Sequence, residues 1–222
     1  MLQSINPYNQ EVIKSYKEHS QKEINHIIAE SDSVFAEWRK TSFENRSKLL
    51  SETALLLKKN IDEYSRIITM EMGKPIRESH AEIEKCAWVC EYYSENGENF
   101  LTPQFIETDA SKSYVTFQPL GVIFAVMPWN FPFWQVFRFA APTLMAGNVA
   151  ILKHSSNVSG CAMAIEQIFR DAGFPNNAFR TLLINSKIVA SVIENSAVKA
   201  VTLTGSTPAG KAVASKAGAM LK

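Results

Sequence analysis

After Pro119 the chain alternates short apolar runs with amphipathic stretches, and this rhythm restricts the fold more than any other feature of the sequence. The runs at 122–127, 149–153, 180–184 and 200–204 are five or six residues long, and helical patterns occupy 133–145, 158–172 and 187–194, with another helix beginning after Thr207. Continuous apolar runs this short, separated by helices, are what parallel strands look like when helices cover both of their faces. The expected fold class is therefore α/β with a parallel sheet. Gly173, just before Pro175, supplies the expected stop for the helix at 158–172. Ligands of such sheets sit beyond the carboxyl ends of the strands, so chemistry is to be sought just after Met127, Lys153, Ile184 and Thr204.

The first hundred residues read as mainly helical. Ile24, Ile27, Ile28, Val34, Phe35 and Trp38 recur at three- and four-residue intervals and mark one stripe of a helix over 21–40. Further helices are expected at 43–60, at 64–72 with a stop at Gly73, and from Pro75 toward Asn99. Two β-prone runs, 105–108 and 114–117, flank the turn-like Asp109-Ala-Ser-Lys-Ser113 and predict a hairpin, which on pattern alone is an ordinary surface hairpin. No internal repeat, low-complexity tract or flexible linker interrupts the chain.

With 23 basic against 22 acidic side chains, scattered rather than blocked, no global field draws the chain to nucleic acid or an anionic membrane, and neither partner is expected. No apolar run approaches the roughly 18 residues that span a bilayer, and no signal peptide is visible, so a soluble cytoplasmic protein is the default expectation. Cys86, Cys90 and Cys161 form no even secreted framework and no zinc-ligand pattern; they are expected to be reduced, packed thiols, and no metal site is expected.

At the first strand end stands Met127-Pro128-Trp129-Asn130-Phe131-Pro132, where two prolines stiffen a turn that carries an amide side chain. A carboxamide aimed from the mouth of a sheet donates hydrogen bonds to an oxyanion without adding charge; the competing role for Asn130 is to bond the backbone of its own turn. At the second strand end Lys153 closes an apolar run and faces the same crevice, with a solvated strand-end lysine as its alternative reading. At the fourth, Thr204-Gly205-Ser206-Thr207-Pro208-Ala209-Gly210 joins strand to helix. Gly205 permits a close turn, Ser206 or Thr207 can cap, Pro208 suits a first helical turn, and the helix amides point at any docked anion. Arg138 lies amid aromatic and aliphatic neighbours in the helix 133–145 and needs a partner, which is either an acidic side chain or a substrate carboxylate.

Pro128-Trp129-Asn130-Phe131-Pro132 at the end of a buried strand resembles the aldehyde dehydrogenase family, and the resemblance extends over essentially the whole chain. It includes Asn6-Pro7, Glu71-Met72-Gly73-Lys74-Pro75, Pro119-Leu120-Gly121-Val122, Ala146-Gly147-Asn148 with Lys153, and Thr204-Gly205-Ser206 with Gly210. The resemblance implies that residues 1–222 are an NAD(P)-binding domain, with 103–118 a hairpin of the oligomerisation region, in an enzyme that is a homo-oligomer, dimer or tetramer. It implies that Asn130 is the oxyanion donor and that Met127, Pro128, Trp129, Lys153, Ser156, Gly205, Ser206 and Gly210 hold NAD or NADP. Many NAD-preferring relatives carry a glutamate three residues after the lysine, and Ser156 stands there in this chain. A hydroxyl tolerates a 2′-phosphate and Lys153 attracts it, so NADP is expected to be accepted. The third strand end departs from the family pattern: Asn185-Ser186-Lys187-Ile188 stands where relatives place glycines, and no adenine contacts are assigned there.

The strongest likeness is to succinate-semialdehyde dehydrogenases, through Met127-Pro-Trp-Asn-Phe-Pro-Phe-Trp-Gln and Leu152-Lys-His-Ser-Ser-Asn-Val-Ser-Gly-Cys161, and it implies that Arg138 binds the far carboxylate of a small semialdehyde. The family's chemistry needs a cysteine thiolate, hydride transfer to the nicotinamide and a glutamate that activates water. By that resemblance the glutamate and the nucleophile belong to segments beyond Lys222, and none of the three cysteines falls where the nucleophile should be. These 222 residues are accordingly expected not to oxidise aldehydes by themselves. The alternative to an enzyme part is a non-catalytic NAD(P)-binding or assembly module derived from the same family.

Overall fold

The chain begins with two strands that the helical reading of its first hundred residues did not include. In a computed structural model that describes residues 1–222, β1 (Leu2–Ile5) and β2 (Val12–Tyr16) pair antiparallel. The period-two burial of Leu2 and Ser4 is the sequence trace of β1, but β2 is almost wholly exposed and carries no such alternation. Four helices follow: α1 (Gln21–Trp38), α2 (Phe43–Lys59), α3 (Ile61–Met72) and α4 (Ile76–Leu101). Ser20 and Glu23 form a capping box on α1, the Ser42 hydroxyl caps α2, and Gly73 closes α3 at φ 87°, a left-handed value that favours glycine.

The hairpin is shorter than its sequence pattern: β3 (Gln104–Phe105) and β4 (Tyr114–Val115) pair over two residues each, with Phe105 opposite Tyr114. A bond between the hydroxyls of Thr108 and Ser113, 2.7 Å, closes the loop where ladder pairing was expected to continue. Both strands are exposed.

The second half supplies β5 (Val122–Met127), α5 (Trp134–Met145), β6 (Val149–His154), α6 (Ser159–Asp171), β7 (Phe179–Thr181), α7 (Val189–Glu194), β8 (Val198–Leu203) and α8 (Thr207–Ala219). The four strands form one all-parallel sheet in the order β7-β6-β5-β8. Adjacent residues of β5 and β6 are buried regardless of which face they point to, which is why these strands read as unbroken apolar runs rather than alternating ones. β7 ends at Thr181 instead of 184, because the segment before α1 takes over the pairing: His19 donates its N–H to Leu183 O at 2.8 Å and its ring accepts from Leu183 N. The helix expected over 187–194 begins as a 3-10 turn, Ser186–Ile188, before α7, and another such turn, Ser156–Val158, precedes α6. A single core of 46 buried apolar residues runs from Ile24 to Ala217, so the early helices and the sheet form one unit.

Candidate functional site

Register brings three strand ends together. Met127 pairs with His154 across β5 and β6, and Val126 pairs with Leu203 across β5 and β8. The turn 128–132, the turn 155–158 and the link 204–206 therefore emerge side by side, at the carboxyl edge where ligands of parallel sheets bind.

The turn 128–132 is braced from two directions. α5 has no capping side chain of its own. Its first amides, from Phe133 and Trp134, instead donate to one carboxylate oxygen of Glu82 in α4 at 2.8 and 2.9 Å. The other oxygen of Glu82 pairs with Lys74, whose ammonium also lies 4.0 Å from the ring centroid of Phe131. Glu82 and Lys74 are 4% and 6% exposed, so this ion pair lies inside the protein. From the opposite flank, His154 Nε2 lies 2.8 Å from Pro132 O. Trp129, Asn130 and Phe131 protrude between these supports, exposed. The exposed Asn130 carboxamide bonds no backbone group, so the self-capping role open to it on sequence is not adopted.

At the end of β6, Lys153 is half-buried with no carboxylate in ion-pair reach, and burial pushes its ammonium below the usual lysine range. Ser156 opens the 3-10 turn with an exposed hydroxyl that bonds nothing in the chain. The helix that follows, α6, is not free to take an anion. Glu71 already accepts from the amides of Gly160 and Cys161, both at 2.8 Å, and from the Ser4 hydroxyl. A side chain on Gly160 would meet the Glu71 carboxylate at 2.6 Å, so glycine is what lets that carboxylate approach. The Glu71-Met72-Gly73-Lys74 stretch thus braces both helices that leave the strand ends, one directly and one through Glu82.

α8 is the helix that remains open. Ser206 is its N-cap, accepting from Ala209 N at 3.4 Å, and the N–H groups of Gly205 and Ser206 donate to nothing within the chain. They face a groove of about 560 Å³ lined by Thr204, Gly205, Ser206, Gly210 and Lys211. Gly205 was read as permitting a close turn, but its backbone is in an ordinary conformation and an added Cβ would meet only van der Waals neighbours. Its bareness serves the groove rather than the chain. Lys211 was missed on sequence, where it reads as one more solvated helix lysine.

Arg138 is exposed rather than enclosed by the aromatic residues around it in sequence, because helical periodicity turns Phe133, Val136, Phe137 and Ala140 inward and Arg138 outward. Its partner is no carboxylate: one guanidinium nitrogen donates to the Thr204 hydroxyl at 3.0 Å, which leaves the rest of the fork free. A second cation nearby escaped the sequence reading. Lys85 of α4 lies 4.1 Å from the Trp134 ring in a groove of about 480 Å³ that also holds Phe131 and Gln135, whose buried side-chain oxygen has no partner.

Pro128 is half-buried, whereas Met127 is buried and its carbonyl is taken by Ser155 N at 3.0 Å. Cys86, Cys90 and Cys161 are fully buried, and burial is the main cause that raises each thiol above the usual range, so none is a thiolate at neutral pH. A cavity of about 630 Å³ opens between β2, α3 and α6, away from the Asn130 turn.

Comparison with known proteins covers the whole chain. The model of the aldehyde dehydrogenase family matches residues 1–222. A probable succinate-semialdehyde dehydrogenase of the NADP(+) type from Synechocystis is 47% identical over 221 residues, covering 100% of this chain and 49% of that protein. Succinate-semialdehyde dehydrogenase (NADP(+)) 1 of Mycobacterium tuberculosis is 43% identical with the same coverage of 100% and 49%. Among solved structures, the succinic semialdehyde dehydrogenase of Streptococcus pyogenes in complex with NADP+ superposes with a TM-score of 0.97 at 34% identity, covering 100% of this chain and 49% of that one. An aldehyde dehydrogenase from Brucella melitensis biovar abortus gives a TM-score of 0.96 at 27% identity, with 100% and 46% covered. The chain spans about half the length of the relatives it matches.

Proposed function

The chain belongs to the aldehyde dehydrogenase family, and from that premise we propose that it builds the cofactor-binding part of an NADP-accepting enzyme that oxidises succinate semialdehyde to succinate. The observation that supports this reading is the meeting, on adjacent strand ends, of an unengaged carboxamide, a half-buried ammonium with no counter-charge and free backbone amides. These groups fit a dinucleotide. The amides of Gly205 and Ser206 and the start of α8 would take its diphosphate, with Gly210 leaving room. Lys153 and Ser156 would hold the adenosine ribose and tolerate a 2′-phosphate, while Pro128 and Trp129 line the approach and buried Met127 backs it. A bound nicotinamide would accept the hydride that leaves the aldehyde carbon.

Asn130 would donate its Nδ2–H to the oxygen of that carbon as negative charge develops on it. The nucleophile and the water-activating base are assigned to polypeptide outside these residues, because all three thiols here are buried and protonated. The exposed aromatic ribbon of β3 and β4, with Phe105 at 69% exposure, is assigned to assembly of the oligomer.

Titrating the chain with NADP+ and NAD+ and following tryptophan fluorescence tests the cofactor assignment. NADP+ is expected to bind at least about tenfold more tightly, and Ser156→Glu to remove that margin, since a carboxylate repels a 2′-phosphate. A large preference for NAD+ overturns the assignment. The substrate assignment is tested separately in the active enzyme that contains these residues. Arg138→Met should raise KM for succinate semialdehyde by about tenfold or more and leave KM for a neutral aldehyde nearly unchanged. Equal effects on both substrates would remove Arg138 from carboxylate recognition.

A further inference from the structure

We propose that His154 is a positioning residue: its neutral imidazole clamps the turn 128–132 and thereby fixes where the Asn130 carboxamide points. The proposal rests on the reading of Asn130 as oxyanion donor. Its physical basis is that this turn cannot hold itself. Pro128 and Pro132 have no N–H, and no backbone hydrogen bond joins one residue of 128–132 to another. Its anchors come from outside. Strand register places His154 directly opposite Met127, where the turn begins, and the ring reaches Pro132 O, where the turn ends.

The hydrogen bonds favour one tautomer. Pro132 O, 2.8 Å from Nε2, can only accept, whereas Nδ1 faces both the Ser155 N–H at 2.9 Å and Met127 O at 3.2 Å; a proton on Nε2 is donated to Pro132 O and leaves Nδ1 to accept from Ser155. The same Ser155 N–H lies 3.0 Å from Met127 O, so one short unit, His154-Ser155, engages both ends of the turn. The ring is 5% exposed and touches no ligand groove, so its effect on a reaction passes through the turn. Lys153, the next residue back, lies on the other face of β6, and with the cofactor role proposed for it the pair divides one strand end between cofactor binding and turn geometry.

The test uses the active enzyme that contains these residues, with His154→Leu, His154→Gln and Asn130→Ala made singly and the two histidine changes also made in the Asn130→Ala background. His154→Leu should lower kcat by about 10- to 100-fold, the scale expected when a reacting group is displaced by about 1 Å. The NADP+ Kd should stay within about twofold, because the cofactor contacts lie on β6 and α8 rather than on the ring. His154→Gln should recover most of the loss, since its Nε2–H reaches Pro132 O. In the Asn130→Ala background His154→Leu should have no further effect. If His154→Leu does not fold, His154→Asn, whose amide stops short of Pro132 O, carries the same expectation. An equal loss with and without Asn130, or no recovery with glutamine, overturns the proposal. An Asn130→Ala enzyme with unchanged kcat removes the oxyanion reading, and the proposal with it.

Discussion

Replacing Glu82 with leucine is expected to destabilise the fold by about 4 kcal/mol, the range for breaking one side of a buried ion pair. Two losses combine. The Lys74 ammonium, 6% exposed, would be left without a counter-charge, and the amides of Phe133 and Trp134 at the start of α5 would lose their only acceptor. Glutamine at the same place separates the two. Its oxygen can still accept from α5, so Glu82→Gln should isolate the cost of the unpaired lysine and fall between leucine and the native chain. Urea unfolding measures all three. The leucine variant should lose more than about 1 M in midpoint at an unchanged slope, for a slope of about 2 to 3 kcal/mol/M. A leucine variant within about 1 kcal/mol of the parent would mean that this pair does not hold the turn. Because Lys74 also lies against Phe131, the same substitution should loosen Asn130 before it unfolds the chain.

That ion pair marks the boundary of what the sequence made legible. The four parallel strands and their covering helices were readable because each element announces itself locally, through unbroken apolar runs such as 122–127 and through stops such as Gly173. The turn at Pro128 to Pro132 was readable for the same reason: its two prolines and its amide side chain stand side by side in the sequence. What holds it was not. Glu82 reaches across 51 residues to Phe133, and Glu71 reaches across 90 to Cys161. Within its helix each of these carboxylates reads as a solvated face. Only the burial of Glu71 and Glu82, which no local pattern encodes, turns them into helix caps. The motif around Gly73 was noticed as part of a resemblance, but its physical reason, bracing α5 and α6 at the two strand ends, needed the packing.

The errors were local too. β1 and β2 were passed over because the outer strand has no buried face and hence no alternation to detect. Arg138 was placed among apolar neighbours by counting along the sequence, whereas its helical phase puts it outside, against Thr204. The reverse holds for His154, which lies between a polar lysine and a polar serine and yet is fully enclosed.

Acid should expose that enclosure directly. Burial, with hydrogen bonds to backbone partners and the nearby Lys153 charge, sets the His154 imidazole at about 4, against the usual 6.5. Burial is the largest cause; Lys153 adds to it, and the carbonyls of Pro132 and Met127 oppose it. Between those two values the unfolded chain binds a proton that the folded chain refuses, so folding stability falls as the pH drops from about 6.5 toward 4 and is fully present above that window. The whole span is worth on the order of 3 kcal/mol, of which about 2 kcal/mol is lost by pH 5. His19, also lowered by burial, titrates in the same direction, whereas the lowered carboxylates of Glu18 and Glu23 act below their usual range, at more acidic pH. His154→Gln isolates the effect of one ring, since glutamine keeps a donor toward Pro132 O and cannot titrate. Denaturant midpoints at pH 7 and pH 5 should therefore converge in the glutamine variant by most of the 2 kcal/mol that separates them in the parent. If the two proteins show the same slope with pH, then the ring is not held neutral, and Nδ1 is not kept free to accept the Ser155 N–H.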